Sequence, residues 1–446
     1  MPSATGRREP DAGGRGFRLG YRPELDGLRG LAVLAVMAYH CELRRFLPGG
    51  FLGVDVFFVL SGFLITALLL REHQQTGRIH LPRFYLRRAR RLFPALFLML
   101  AVCWIWAVVR TKPARAAVIH RAALLTACHV ANAASWWSLP MDCLGHAWSL
   151  SLEEQFYLVW PILLAVLLRC GVRRRRIALL AALGLSASAL VRAGLWFSPW
   201  PAGAAAAATS LMARADALLA GCLVGLLVAA GRRTSSPRSR RMLQTAAGVS
   251  VAVLLLFGML ANQQAAFLYL GGFTVVAAAA AVVTAALAAA PPWPLSRLLS
   301  APPLVGIGRI SYGLYLWHFP LLSLAPKLIH SCIPAMHRLP EWDAPLAYLL
   351  ALGAALLSYY AVERPFLRGK ARLASGCHFG GAGLSGGRMA RNHSLDVSAD
   401  PLSVTRSLSA AASPSCAARR SSSFISSGFF GPLKRSCGPS TSSTTV

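Results

Sequence analysis

The sequence predicts an all-α polytopic membrane protein with about ten transmembrane helices and both termini in the cytoplasm. Three observations carry that prediction. The first is composition: 55% of the 446 residues are apolar and 14% are charged, where soluble proteins carry about 25% charged residues. Mean hydropathy is +0.52. The second is a series of apolar stretches long enough to cross a ~30 Å hydrocarbon layer, at 26–46, 51–70, 93–109, 148–168, 177–196, 205–229, 243–262, 266–289, 304–328 and 345–363. The third is the placement of basic residues. Connections holding Arg83 to Arg91, Arg173 to Arg176, Arg232 to Arg241 and Arg364 to Arg372 alternate with connections that are poor in charge. Cytoplasmic loops collect arginine and lysine in this way.

The net charge of +30 has the same origin. In a soluble protein it would suggest nucleic acid. Here no basic stripe interleaved with aromatics lies on a soluble module, so topology and anionic headgroups account for it and no nucleic-acid partner is expected. One connection resists the alternation. The third-to-fourth lies on the predicted outer side yet carries Arg110, Lys112, Arg115 and Arg121. Within it, 116–137 is a weaker amphipathic stretch that reads as interfacial rather than spanning.

Three regions follow. Residues 1–20 are Arg- and Gly-rich without an apolar run followed by a cleavage site, and read as a cytoplasmic tail rather than a signal peptide. Residues 21–368 form the transmembrane domain. Residues 369–446 are rich in Ser, Gly, Ala and Arg, lose all periodicity, and read as a disordered cytoplasmic tail. The ten cysteines are scattered without CxxC spacing, which indicates neither a zinc site nor a disulfide framework. Those in apolar runs behave as small hydrophobes. The histidines are dispersed without ligand spacing, so no metal is expected.

Ionisable side chains inside a membrane are costly and are functional candidates by default. The first span, LDGLRGLAVLAVMAYH, holds Asp26, Arg29 and His40. Arg29 and His40 lie on roughly one helix face, about 16 Å apart at ~1.5 Å per residue. Arg29 is either a functional cation or a snorkelling anchor, and His40 either a chemical group or a packing one. In the second span, GGFLGVDVFFVLSGFLIT, Asp55 either partners a histidine or caps the helix. The third opens with Arg87, Arg88, Arg90 and Arg91. Neighbouring arginines at i,i+3 and i,i+4 share a face and suit phosphate groups, or serve as a positive-inside anchor. The fourth, HAWSLSLEEQFYLVWP, brings Glu153 and Glu154 into a membrane helix, where either can orient a histidine, pair with an arginine or face water. The ninth carries Arg309, Ser311, Tyr312, Tyr315, Trp317 and His318. Glu363 and Arg364, at the end of the tenth, read as a surface ion pair of little energetic weight.

Five of these segments, LDGLRGLAVLAVMAYH, GGFLGVDVFFVLSGFLIT, FYLRRARRLFPA, HAWSLSLEEQFYLVWP and SYGLYLWHFPL, followed by VERPF, appear in the order found in the acyltransferase 3 family of membrane O-acyltransferases. The chain resembles that family from about residue 20 to 370. The resemblance implies ten transmembrane helices and transfer of an acyl group, often acetyl, from a cytoplasmic acyl-CoA to a hydroxyl. It implies a hydroxyl-bearing acceptor such as a surface glycan or a macrolide, a membrane-lipid environment and the bacterial cytoplasmic membrane. The family's R-x10-H motif falls on Arg29 and His40, and its Arg-x-x-Arg motif on Arg88 and Arg91. Many members carry an additional extracytoplasmic hydrolase-like domain; this chain looks like the membrane-only form.

With the resemblance in place, His40 is expected as the general base, with Asp55, Glu153 or Glu154 orienting it. Arg88 and Arg91 are expected to hold the CoA phosphates, and Arg29 to assist them or pair with Asp26. A polytopic transporter or flippase is the competing class. Such proteins commonly show two matching halves with interrupted helices, and no such internal symmetry is visible here.

Overall fold

The structure is a computed structural model that describes residues 20–200, 202–229, 236–289, 293–333, 336–337 and 339–366. Residues 1–19 of the expected N-terminal tail and the whole expected tail at 369–446 lie outside the described residues, as do Arg232, Arg233, Arg368, Lys370 and Arg372. Among the described residues every regular element is helical. In lipid a helix closes its own backbone hydrogen bonds, which favours it over any open sheet.

The principal helices are α1 (Pro23–Tyr39), α2 (Gly53–Thr76), α3 (Leu81–Arg110), α4 (Pro113–Ala127), α5 (Trp148–Arg169), α6 (Arg174–Trp196), α7 (Gly203–Thr209), α8 (Leu211–Ala229), α9 (Pro237–Leu260), α10 (Phe273–Ala289), α11 (Pro294–Leu299), α12 (Pro302–Arg309), α13 (Ser311–Cys332) and α14 (Asp343–Leu357). Several begin with proline in the first turn, where the missing N–H costs nothing and φ is already helical. Prolines also sit inside α3, α5 and α13, which membrane helices tolerate because neighbours satisfy the freed carbonyls.

Eight helices among the described residues are long and apolar enough to cross a membrane. They match eight of the ten expected spans. The first and ninth expected spans are not among them, for local reasons. The first, expected over 26–46, ends at Tyr39, and the chain continues as a short 3-10 turn, Glu42–Arg45. The ninth, expected over 304–328, is divided at Ile310 into α12 and α13; α13 keeps 22 residues, but Tyr312, His318, Pro320, Pro326 and Lys327 dilute its apolar character. The amphipathic stretch at 116–137 is also divided, into α4 and a 3-10 segment, Ala131–Trp137. Its awkward basic charge is partly spent: Arg115 forms a two-pronged pair with Asp142, with Nε and Nη2 at 2.7 and 2.8 Å from the carboxylate oxygens.

Burial sorts the helices into centre and rim. In the apolar window of α2, 78% of residues are buried, and α10 follows with 67%. For α6, α9 and α14 the share is 22%, 17% and 22%, so these present most of their surface to lipid. The central crossing is α2 on α8. Gly62 faces the backbone of Leu218 and Gly221 faces the backbone of Val59, and a Cβ at either position would collide with a carbonyl. Small residues allow this approach, and close backbone packing is a main source of helix association in lipid.

Charge is buried beside that crossing. Arg192, expected in the fifth-to-sixth connection, lies inside α6 and is 0% exposed. Its Nη1 bonds Asp216 Oδ2 at 2.7 Å and the Ala213 carbonyl at 2.8 Å, its Nη2 bonds Thr274 at 2.6 Å, and its Nε bonds the Tyr269 carbonyl at 3.2 Å. All three guanidinium nitrogens are therefore satisfied, as a buried ion requires. The seven described cysteines are free, and Cys103, Cys143 and Cys222 are buried as small hydrophobes.

Two outcomes test this packing in thermal unfolding followed in detergent. Asp216→Ala, which strands the Arg192 charge, is expected to cost about 3–5 kcal/mol, and Asp216→Ala combined with Arg192→Leu to recover part of that loss. Gly221→Leu is expected to prevent close contact of α2 with α8 and to lower the yield of folded protein, whereas Gly248→Leu, at a position where a Cβ meets nothing, should leave both properties unchanged.

Candidate active site

Two groups of candidate side chains lie toward opposite ends of α1. One end carries arginines. Arg88 on α3 grips Glu154 on α5, with Nε 3.0 and 3.1 Å from the two carboxylate oxygens and Nη2 2.5 Å from Oε1. Its guanidinium lies over the Tyr157 ring at 3.3 Å. One turn further along the helix, Arg91 lies within electrostatic range of Arg29, Arg88 and Glu363. The structure thus brings Arg29, Arg88 and Arg91 together from two helices. Arg29 Nε is buried without a hydrogen-bond partner among the described residues. Glu363 is 6% exposed. It is not the surface ion pair expected with Arg364, because the end of the chain's last described helical segment turns the carboxylate inward, toward Arg91. Arg87, at the same helix face, reaches Glu72 at 3.6 Å.

The other end carries imidazoles. His40 closes the C-terminus of α1 and is half-buried. Its Nδ1 lies 2.9 Å from the Val36 carbonyl. A carbonyl only accepts, so Nδ1 carries the proton and Nε2 keeps its lone pair. The neighbouring rings are Tyr39, Phe319 and His318, with centroids 5.2, 5.1 and 5.3 Å away. His318, on α13, is 0% exposed, and His146, on the 3-10 turn Asp142–Ala147, is 4% exposed. The His146 and His318 centroids are 5.4 Å apart. Tyr315 fixes the position of the turn that bears His146: its hydroxyl donates to the His146 carbonyl at 3.2 Å and lies 2.5 Å from Ser149 Oγ. No three histidine, cysteine or acidic side chains among the described residues are placed to hold a metal ion.

The carboxylates expected to orient His40 are engaged elsewhere. Asp55 is 1% exposed and its Oδ1 accepts from Arg214 Nη2 at 2.5 Å. Glu153 accepts from Tyr157 at 2.6 Å and from Ser61. Glu154 holds Arg88. Among the described residues none of the three is a hydrogen-bond partner of His40, which is oriented by a backbone carbonyl of its own helix instead. An i→i−4 contact of this kind leaves no mark in sequence beyond the histidine itself.

Sequence reasoning missed Arg214 and Asp216 on α8. The available signal was an arginine and an aspartate two residues apart within an expected span, each costly unless paired. Arg214 answers Asp55, and its guanidinium lies 3.7 Å from the Phe273 ring centroid. His146 opens the segment HAWSLSLEEQFYLVWP and His318 is named in the ninth span, and sequence reasoning gave neither a role.

The acyltransferase 3 family, described as an acyltransferase domain, matches residues 22–364. The peptidoglycan O-acetyltransferase OatA of Listeria monocytogenes serovar 1/2a is 34% identical over 359 residues, covering 77% of this chain and 56% of the relative. SAS0844 of Staphylococcus aureus (strain MSSA476), provisionally named an O-acetyltransferase, is 32% identical over 78% of this chain and 58% of its own length. YrhL of Bacillus subtilis (strain 168), provisionally named a peptidoglycan O-acetyltransferase, is 32% identical over 77% and 55%. The chain therefore spans a little over half the length of these curated relatives. No solved structure matches. The long apolar helices and the bacterial relatives place the protein in a bacterial cytoplasmic membrane as an integral component. With the family pattern covering 22–364 and with these identities, the chain belongs to the acyltransferase 3 family.

Proposed function

We propose that the protein transfers an acyl group, most simply acetyl, from acyl-CoA to a hydroxyl of a cell-envelope glycan. The observation that carries this reading is that α1 joins an arginine cluster, to which it contributes Arg29 and α3 contributes Arg88 and Arg91, to an imidazole that holds a free lone pair. Arg29 begins the helix and His40 ends it, about 16 Å apart at ~1.5 Å per residue. Acetyl as the group and a glycan as the acceptor follow the names of the relatives, two of which are named for peptidoglycan.

The chemistry follows from the two ends. Arg29 and Arg91 are like charges held near each other, with Glu363 as the acidic neighbour, while Arg88 already has Glu154. Positive charge in excess of its acidic partners suits a polyanion such as the CoA phosphates, and guanidinium offers the bidentate fork that phosphate accepts. In this reading Arg29 and Arg91 take the phosphates, and Arg88, fixed by Glu154 and Tyr157, keeps the cluster in place. The charged nucleotide stays at the membrane edge and its thioester arm runs inward beside α1. At the far end His40 Nε2 removes the proton of the acceptor hydroxyl as the oxygen attacks the thioester carbon. The C–S bond then breaks, and the proton passes from His40 to the departing thiolate. Asp55, Glu153 and Glu154 act in this scheme as partners of Arg214, Tyr157 and Arg88, holding the helices that carry the site. The scheme places both termini and the arginine cluster on the cytoplasmic side, with α1 and α13 completing a ten-helix bundle.

The reconstituted full-length protein, given acetyl-CoA and an envelope-glycan acceptor, is expected to form a glycan ester detectable by mass spectrometry. His40→Ala should reduce ester formation by at least 100-fold, on the scale of a lost general base, while membrane insertion is unchanged. Ester formation at the wild-type level in that variant would sink the base assignment. Arg91→Ala is expected to raise the KM for acetyl-CoA about ten-fold or more, since a hydrogen bond to a charged group contributes ~1.5–3 kcal/mol. The glycan KM should stay constant, and the reverse pattern would remove the phosphate assignment.

A further inference from the structure

His146 and His318 are buried beside His40 and the scheme above gives them no part. Their hydrogen-bonding inventory is informative. A neutral imidazole has one N–H and one lone pair. His40 spends its N–H on the Val36 carbonyl. His318 spends its own on its helix: Nδ1 lies 2.8 Å from the Tyr315 carbonyl and 3.2 Å from that of Leu314. That leaves His318 Nε2, on the ring edge away from the backbone, as a lone pair. It is buried and has no partner among the described residues. His146 faces the backbone of Leu316 without reaching hydrogen-bond geometry, so neither of its ring nitrogens has a partner there either.

Neutral, the three rings lie side by side, with His40–His318 and His146–His318 centroids 5.3 and 5.4 Å apart, and His40 and His318 each keep an Nε2 lone pair. Such a place is rich in acceptors and poor in donors. Leaving a buried acceptor unsatisfied costs about 1–3 kcal/mol, so the group that belongs there donates hydrogen bonds. One hydroxyl supplies one proton, and the base takes it. A second lone pair at His318 therefore calls for a second hydroxyl.

We propose that His318 Nε2 accepts a hydrogen bond from a hydroxyl neighbouring the one that His40 activates, so that the site selects acceptors bearing two adjacent hydroxyls, as a sugar ring does. This rests on the acyl-transfer reading and narrows its acceptor to a diol. The neighbouring hydroxyl keeps its proton and no bond to it changes. Its role is to fix the reacting oxygen against His40. His146, carried on the turn that Tyr315 and Ser149 hold, packs against His318 with ring centroids 5.4 Å apart and backs its ring. Phe319 packs against both His40 and His146, with centroids 5.1 and 5.3 Å away, and walls the place from lipid.

The test uses the reconstituted full-length protein, acetyl-CoA, a β-1,4-linked N-acetylhexosamine disaccharide, and monodeoxy analogues of that disaccharide. With the wild type, one analogue that still carries the esterified hydroxyl is expected to lose about 10- to 100-fold in kcat/KM, because a site built to bind a hydroxyl rejects a substrate without it. His318→Leu should lower the parent disaccharide to the level of that analogue and leave the analogue itself unchanged, with no effect on the KM for acetyl-CoA. His318→Gln, which offers an amide oxygen near the Nε2 position, should restore part of the preference, and it carries the test if His318→Leu fails to accumulate in the membrane. Equal losses for parent and analogue would show His318 to be a packing group and overturn the proposal, as would a wild type indifferent to every deoxygenation. Absence of ester from all acceptors with the wild type would overturn the transfer reading itself, and this inference with it.

Discussion

The close crossing of α2 and α8 is the contact on which the rest of the structure depends. Without side chains at Gly62 and Gly221 the two backbones meet, and every polar arrangement in the bundle is set relative to that contact. It delivers Arg214 to Asp55. On the remaining faces, Ser61 of α2 donates to Glu153 and Thr66 of α2 accepts from Trp160, which dock α5. Once docked, α5 presents Glu154 to Arg88 of α3. Apolar association contributes little between helices in lipid, so such polar contacts and tight packing decide register.

Buried charge in this protein divides by how completely it is answered. Arg192 has a partner for each guanidinium nitrogen and reads as a structural ion. Arg214 and Asp55 are equally buried, yet Arg214 Nε and Nη1 and Asp55 Oδ2 have no partner among the described residues. Arg29 and Arg91 lie near each other with Glu363 between their charge and neutrality. Ions that stay incompletely answered in a low-dielectric setting are costly, and in the proposed scheme the CoA phosphates answer the pair at the end of α1. The same logic applies to neutral groups: lone pairs on His318 and His146 are costly when empty and informative for that reason.

Helix α1 links the two ends. Its 17 residues extend ~26 Å at ~1.5 Å per residue, and it stops where His40 turns its Nδ1 back to Val36. A rigid helix holds Arg29 near one of its ends and His40 at the other without any loop between them. Elements carrying functional groups on helices hold geometry more tightly than loops do. The separation between phosphate site and reacting carbon in the proposed scheme is thus a property of one element.

The sequence by itself determined the membrane class and eight of the spans, because these depend on composition and apolar length; its resemblance to the family, carried by short motifs in order, named the family and proposed Arg29, Arg88, Arg91 and His40 as candidates. Arg29 and His40 belong together in sequence since one helix carries both, and their face follows from the helical period. Partnership was decided by tertiary structure alone. Asp55 reads equally well as a partner of His40 or as a cap, and only the α2–α8 crossing gives it to Arg214. Glu363 beside Arg364 reads as a surface pair, and only the turn of its segment buries it near Arg91. His146 and His318 are 172 positions apart, and nothing local to either announces the other. Sequence records what each residue can donate, accept or bury. Which lone pairs and charges meet is a matter of packing between distant helices, and that exists only in the folded bundle.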